Sequence, residues 1–204
     1  MMKWGWILLA LGIAGNARAM SEVSVLAVGS NDSFKETLPA LLYAEDDAAR
    51  FVEAMKSVGL VPKARATTLQ SPSVAEFRQV LAHMSKPSGL GVAEPSRKFI
   101  FYYSGHADET GLHLSDGLIT KKELHKSLGE LSANTKIAII DSCFSGSLTA
   151  KGVEPAPAFE LPKVEFDEPS GSVFLSSAAG QQFSYESDKL ESSIFTFSAA
   201  SLRR

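Results

Sequence analysis

An α/β fold, a mostly parallel sheet with helices packed on both faces, is predicted for this chain by three observations. Short apolar runs rich in β-branched residues alternate with segments of helical spacing, the pattern of strands joined by crossover helices. Two of the runs, Lys98–Tyr103 (KFIFYY) and the Ile-Ala-Ile-Ile of Ile137–Ile140, are apolar at successive positions, as strands buried on both faces are. Each stops at small and reactive residues: Ser104-Gly105-His106-Ala107 after the first, Asp141-Ser142-Cys143-Phe144-Ser145-Gly146 after the second. In open α/β sheets, ligands and chemistry collect beyond the carboxyl ends of the strands.

The remaining elements follow in order. Val23–Val28 is a strand halted by Gly29-Ser30-Asn31-Asp32. Leu41 to Val58 has helical spacing, with Leu42, Ala49, Val52 and Met55 on one face and Gly59 as the stop. Ala64–Leu69 is a weaker strand. Ser71 or Ser73 caps a helix whose apolar stripe is Val74, Phe77, Val80, Leu81 and Met84. The Pro/Gly-rich Lys86–Ser96 is a loop, and Gly111–Leu114 a short hairpin strand before Asp116-Gly117. Thr120 and Glu123 form a capping box opening a helix to about Leu131. Lys151–Gly171 carries prolines at 155, 157, 162 and 169 and acids at 154, 160, 165, 167 and 168, and reads as a long, flexible, exposed loop. Ser172–Ser176 is one more strand, and Ser192 or Ser193 caps a last helix from Ile194. That helix pattern is still running at Arg204, so the domain is expected to be cut short there.

The 204 residues suit one domain, and a net charge of −3 leaves no basic footprint for nucleic acid. Lys3, the apolar run Ile7–Ile13 and Ala17-Arg18-Ala19 have the layout of a secretory signal peptide. Residues 1–19 are therefore expected to be a removed leader and 20–204 the domain of an exported protein, periplasmic or secreted. The run is too short to span a bilayer comfortably, so no stable membrane span is expected after removal; an uncleaved anchor is the alternative. Removal takes away Lys3 and Arg18 and no acid, leaving 18 bases against 23 acids and a charge of −5. A single cysteine cannot form an internal disulfide, so the thiol is either incidental or used.

Cys143 and His106 end the two strongest strands, and emerge at one sheet edge if those strands are parallel neighbours. A free thiol with a pKa of about 8.5 is only slightly ionised at neutral pH. A histidine beside it supplies the base and later protonates the leaving amine. Backbone N–H groups of Gly105 and Cys143 can hold an oxyanion. On the residues alone, a nucleophile and a buried structural thiol are both open, because free Cys is among the most buried types.

The wording of the motifs adds more. YYSGHA and DSCFSG resemble the histidine and cysteine motifs of the caspase-like cysteine peptidases, in particular the metacaspase and bacterial orthocaspase branch. Tyr43–Ala49 (YAEDDAA) is similar to that family's early helix motif, Ser176–Glu186 (SSAAGQQFSYE) to the segment after its processing linker, and Ser193-Ile194-Phe195-Thr196 to the start of its last helix. The resemblance spans roughly residues 23–202. It implies a caspase-like three-layer sandwich and an endopeptidase using a Cys143–His106 dyad. It also implies a substrate pocket lined by Asp47, Ser104 and Asp141, whose two carboxylates select Arg or Lys before the scissile bond. Glu186 stands where caspases that cut after Asp carry an arginine, which reverses the sign of the pocket. Two departures are Phe144, where many metacaspases have His, and Ala107, where Gly is usual.

The partners implied are protein or peptide substrates with Arg or Lys before the cut. A catalytically silent caspase-like binding or scaffold module is the alternative, and another Cys-His acyl-transfer hydrolase a third reading. The presence of both Cys143 and His106 favours the peptidase. Calcium is a feature of many metacaspases but not of all bacterial relatives. Asp167-Glu168 reads as a solvated loop, and no metal or cofactor is assigned. His83, His113 and His125 lack metal-ligand spacing and read as surface or structural. In the Lys151–Gly171 loop, Lys163 and then Lys151 are the expected points of self-cleavage.

Overall fold

A computed structural model describes residues 22–61, 65–84, 97–144, 171–176 and 186–201, with the backbone alone at Cys143, Phe144, Ser172, Phe174, Ser176 and Ala199. The expected leader, the Lys86–Ser96 loop, Lys151, Lys163 and residues 177–185 lie outside the described residues. In chain order the elements are β1 (Glu22–Ser30), α1 (Ala44–Ser57), β2 (Ala66–Gln70), α2 (Val74–Met84), β3 (Arg97–Ala107), β4 (Gly111–His113) and β5 (Leu118–Thr120). Then follow α3 (Lys121–Gly129), β6 (Thr135–Phe144), β7 (Gly171–Ser176), β8 (Glu186–Ser187), β9 (Ser192–Ser193) and α4 (Ile194–Ser201).

Five strands form a parallel sheet in the order β2-β1-β3-β6-β7. The β4–β5 hairpin joins antiparallel at the carboxyl end of β3. Strand alternation divides the core in two. On one face Val25, Ala27 and Tyr102 pack with Ala48, Phe51 and Val52 of α1 and with Phe195 of α4. On the other, Leu26, Val28, Phe101, Tyr103 and Ile140 pack with Phe77 and Leu81 of α2 and with Leu124 and Leu128 of α3. The result is the expected three-layer sandwich.

Several boundaries differ from expectation for identifiable reasons. β3 does not stop at Tyr103, and β6 does not stop at Asp141. The two ladder together through Ala107 and Phe144, so both reactive motifs lie in the last residues of strands. Leu42 is 63% exposed and precedes α1; the helix begins at Ala44, where the Glu186 carboxylate accepts the N–H groups of Leu42 (3.1 Å) and Tyr43 (2.9 Å). A Cβ on Gly29 would lie 2.2 Å from the Ala44 carbonyl, so glycine there lets the start of α1 approach the end of β1. Ser73 caps α2, while Thr120 accepts the Glu123 N–H as the capping box requires. β5, β8 and β9, two or three residues each, are too short to carry a periodic signal. His113 and His125 are buried.

Candidate active site

The pairing of β3 with β6 sets the site. His106 and Cys143 are register partners, and so are Ser104 and Asp141 two residues earlier. The pleat puts Tyr102, Ser104 and His106 on one face of β3, beside Asp141 and Cys143 on the same face of β6. Past Ile140 the other flank of β6 has no strand partner among the described residues, since β7 ends its pairing at Ser176.

His106 is buried, 2% exposed. Its Nε2 lies 2.8 Å from the carbonyl oxygen of Pro39, in the loop between β1 and α1. A carbonyl only accepts, so this contact fixes the ring proton on Nε2. Nδ1 is also buried and has no hydrogen-bond partner among the described residues. Burial holds the imidazole below its ordinary pKa, against the opposing Pro39 bond, and the nearby His113 adds to the depression while Glu186 opposes it. The ring is a neutral base with its lone pair on Nδ1.

Beneath it, the Tyr103 hydroxyl shares its proton between the carbonyls of His106 (2.6 Å) and His113 (2.7 Å). Gly105 has φ +157°, and a Cβ there would sit 2.4 Å from the Tyr103 phenol oxygen. No side chain fits without moving the tyrosine that ties down the His106 backbone.

The two acids of the expected pocket come together. Asp47, in the first turn of α1, and Asp141 are both buried. Asp47 accepts from the Ser192 hydroxyl (2.5 Å), the Ser193 N–H (3.0 Å) and, at the limit of bonding, the Ser104 hydroxyl (3.5 Å). Asp141 accepts from the hydroxyls of Ser193 (2.5 Å) and Thr196 (2.9 Å). Ser193 thus touches both carboxylates, and its oxygen also accepts the Thr196 N–H (3.0 Å) as the cap of α4. Tyr102 meets the Thr196 hydroxyl at 2.5 Å. Burial pushes the Asp47 carboxyl up, against the serine hydrogen bonds that lower it, and the charge of Asp141 pushes the same way. Among the described residues, the partners of the Asp47 carboxylate are hydroxyls and a backbone N–H, and none is a cation.

Of the residues expected at the site, the structure brings His106, Ser104, Asp47 and Asp141 to one side of the sheet, together with three that the sequence reading did not include. Pro39 acts through its main chain, which no residue type advertises. Ser192 and Thr196 act as ligands of the acid pair. The Ser193–Thr196 motif was the available signal for this, read only as a helix start. Glu186 serves as an α1 cap rather than as an open pocket acid. Among the described residues, no group of three or more His, Cys, Asp or Glu side chains is placed to share a metal ion. Nor is any described helix long and apolar enough to cross a membrane.

The caspase-domain model of peptidase family C14 matches residues 25–201 of this chain. Among solved structures, the crystal structure of a Geobacter sulfurreducens protein is similar with a TM-score of 0.61 at 18% identity. The match covers 86% of this chain and 79% of that one, a likeness of fold. No curated protein is significantly similar in sequence.

Proposed function

The chain belongs to the caspase-domain family of peptidases, and on that premise we propose that it is a cysteine endopeptidase that cuts peptide bonds after Arg or Lys with a Cys143–His106 dyad. The observation that supports the dyad most is the register of β3 with β6, which makes His106 and Cys143 direct neighbours, together with the buried, unpartnered Nδ1. The Cys143 thiol gives its proton to Nδ1, and the thiolate attacks the scissile carbonyl carbon. The oxyanion so formed is assigned to the main-chain N–H groups of Gly105 and Cys143. As the C–N bond breaks, the imidazolium returns its proton to the departing amine. Water, deprotonated by the same ring, then hydrolyses the acyl-enzyme to a carboxylate and the free thiol.

The Arg/Lys preference draws its support from Asp47 and Asp141 on the same sheet face as the dyad. Both acids accept hydrogen bonds from hydroxyls, which solvate a carboxylate without cancelling its charge, so a substrate cation arriving between them is favoured. The Arg fork matches paired carboxylates better than the Lys ammonium does. A peptide chloromethyl ketone ending in Arg tests the assignment. It should add its mass to Cys143, and fail to do so in His106→Ala; labelling elsewhere, or not at all, contradicts it.

Export rests on the leader at residues 1–19, and purification of the secreted form should give Met20 as its first residue. For self-cleavage the assigned point is Lys163 or Lys151. A new terminus at Val164 or Gly152, absent from Cys143→Ala, is the expected result.

A further inference from the structure

Behind His106 lies a partly buried polar cluster, with His113 at its centre, that the dyad chemistry does not use. Asp108, just past β3, accepts the N–H groups of Thr110 (2.8 Å) and Gly111 (3.2 Å) on Oδ1, and Lys35 Nζ (2.5 Å) and His113 Nε2 (2.8 Å) on Oδ2. His113 is fully buried, and its Nδ1 lies 3.0 Å from the Ser33 hydroxyl, which itself accepts the Lys35 N–H (3.1 Å). The donors and acceptors close without remainder: Asp108 only accepts, so His113 carries its proton on Nε2, and Ser33 donates to Nδ1. Burial keeps His113 below its ordinary pKa, against the Asp108 contact. Burial alone would raise the Asp108 carboxyl, but the bonds from Lys35, His113 and the Thr110 backbone outweigh it and hold it well below the usual range.

The cluster fastens one segment. Ser33 bonds His113, Lys35 bonds Asp108, and between them the Phe34 N–H donates to the Leu114 carbonyl (3.0 Å). The Phe34 ring meets the His113 ring edge-on, centroids 5.0 Å apart. Three successive residues of the β1–α1 loop are therefore fixed to the end of β4 and to the turn that precedes it. The Leu38 N–H then closes onto the Lys35 carbonyl (3.0 Å), and the next residue is Pro39, whose carbonyl takes the His106 Nε2 proton. The His113 and His106 rings stand 6.5 Å apart, centre to centre, too far for a direct bond; besides the loop, the Tyr103 hydroxyl links their carbonyls.

We propose that Asp108 and His113 are positioning residues: they clamp Ser33–Lys35 so that the Pro39 carbonyl holds His106 in the Nε2–H tautomer with Nδ1 turned over to the thiol. This rests on the Cys143–His106 reading. A loosened loop lets the imidazole take the other tautomer, in which Nδ1 carries the proton and cannot act as base. Misplacement of a catalytic group by about 1 Å can lower turnover by roughly 10²-fold.

The test uses Asp108→Asn and His113→Phe in the full chain, with kinetics on an Arg-ending fluorogenic peptide. The nitrogen chemical shifts of the His106 imidazole are read in parallel in a Cys143→Ala background. We expect kcat to fall about 10²-fold with KM nearly unchanged. His106 should be a single Nε2–H tautomer with the clamp intact, and a mixture without it. Should those variants not fold, Ser33→Ala removes one bond and should give the same tautomer change with a loss of roughly threefold to tenfold. Folded variants with unchanged kcat and an unchanged single tautomer overturn the proposal, as does a loss explained wholly by a smaller folded fraction. If Cys143→Ala is as active as the parent, the dyad reading fails instead, while the tautomer still decides the clamp.

Discussion

His106 and the Asp47–Asp141 pair share one face of the sheet and are equally buried, yet different parts of the chain hold them. His106 ends a central strand and is fixed by a main-chain carbonyl from the neighbouring loop, in surroundings that keep it neutral. The acids come from α1 and β6 and are joined by hydroxyls of β9 and α4, with Ser192 reaching Asp47 across 145 positions of sequence. On the proposed reading, proton chemistry falls to the central strands, where a small displacement is most damaging. On the same proposed reading, charge recognition falls to the acid pair, where hydroxyls solvate the carboxylates without neutralising them. If that reading holds, the last segment of the domain is part of what sets specificity.

The largest effects should come from the histidine side. Cys143→Ala should reduce turnover to background with the fold intact. His106→Ala should cost roughly 10²–10⁴-fold, and the double variant little more than either alone, because the two act as a unit. Thermal melts alongside the kinetics separate chemistry from folding. On the acid side, Asp141→Ala should lower kcat/KM for Arg-ending peptides by about 10²-fold or more, since the substrate cation is left buried beside a single carboxylate. An equal loss on an uncharged peptide would mean that Asp141 acts on the chemistry and not on recognition.

A smaller effect sharpens the contrast. Burial raises the folded-state pKa of Asp47 above its unfolded value, so its favourable contribution is present at low pH and lost as pH rises through the folded pKa. Asp47→Asn should then leave Tm at neutral pH unchanged or raised while Arg-peptide cleavage falls. The amide oxygen can still take the Ser193 N–H, and the Ser192 hydroxyl can turn to accept. A marked drop in Tm would show that the ionised form holds the fold together. For His106 the sign is opposite: its pKa is depressed, so its contribution is present above 6.5 and is lost as pH falls from there through the lower, folded value. Proton NMR of Cys143→Ala should place the His106 midpoint below 6.5; a midpoint above it would mean that the Pro39 bond and Glu186 outweigh burial and His113.

Most of the architecture was legible because strand burial and helix spacing are local. KFIFYY and IAII announce double-sided burial, and their adjacency follows once the sheet is parallel. Their true ends were not legible, because β3 and β6 extend each other by pairing rather than by composition. The acid pair became visible only through family motifs, since Asp47 read alone is an ordinary helix acid. Pro39, Ser192 and the Lys35–Asp108–His113–Ser33 cluster were hidden for a common reason: each works through a partner distant in sequence, with no spacing rule linking the two. Only the Asp108–Thr110–Gly111 turn carries a local signal, a carboxylate accepting the N–H two residues on.

The central claim, a cysteine nucleophile served by a pocket that recognises a cation, is tested most directly by initial rates on three fluorogenic peptides identical but for Arg, Lys or Asp before the scissile bond. The account predicts cleavage after Arg and Lys, Arg the faster, no cleavage after Asp, and none of the three by Cys143→Ala. Equal rates after Asp and Arg, or undiminished activity in Cys143→Ala, would contradict it.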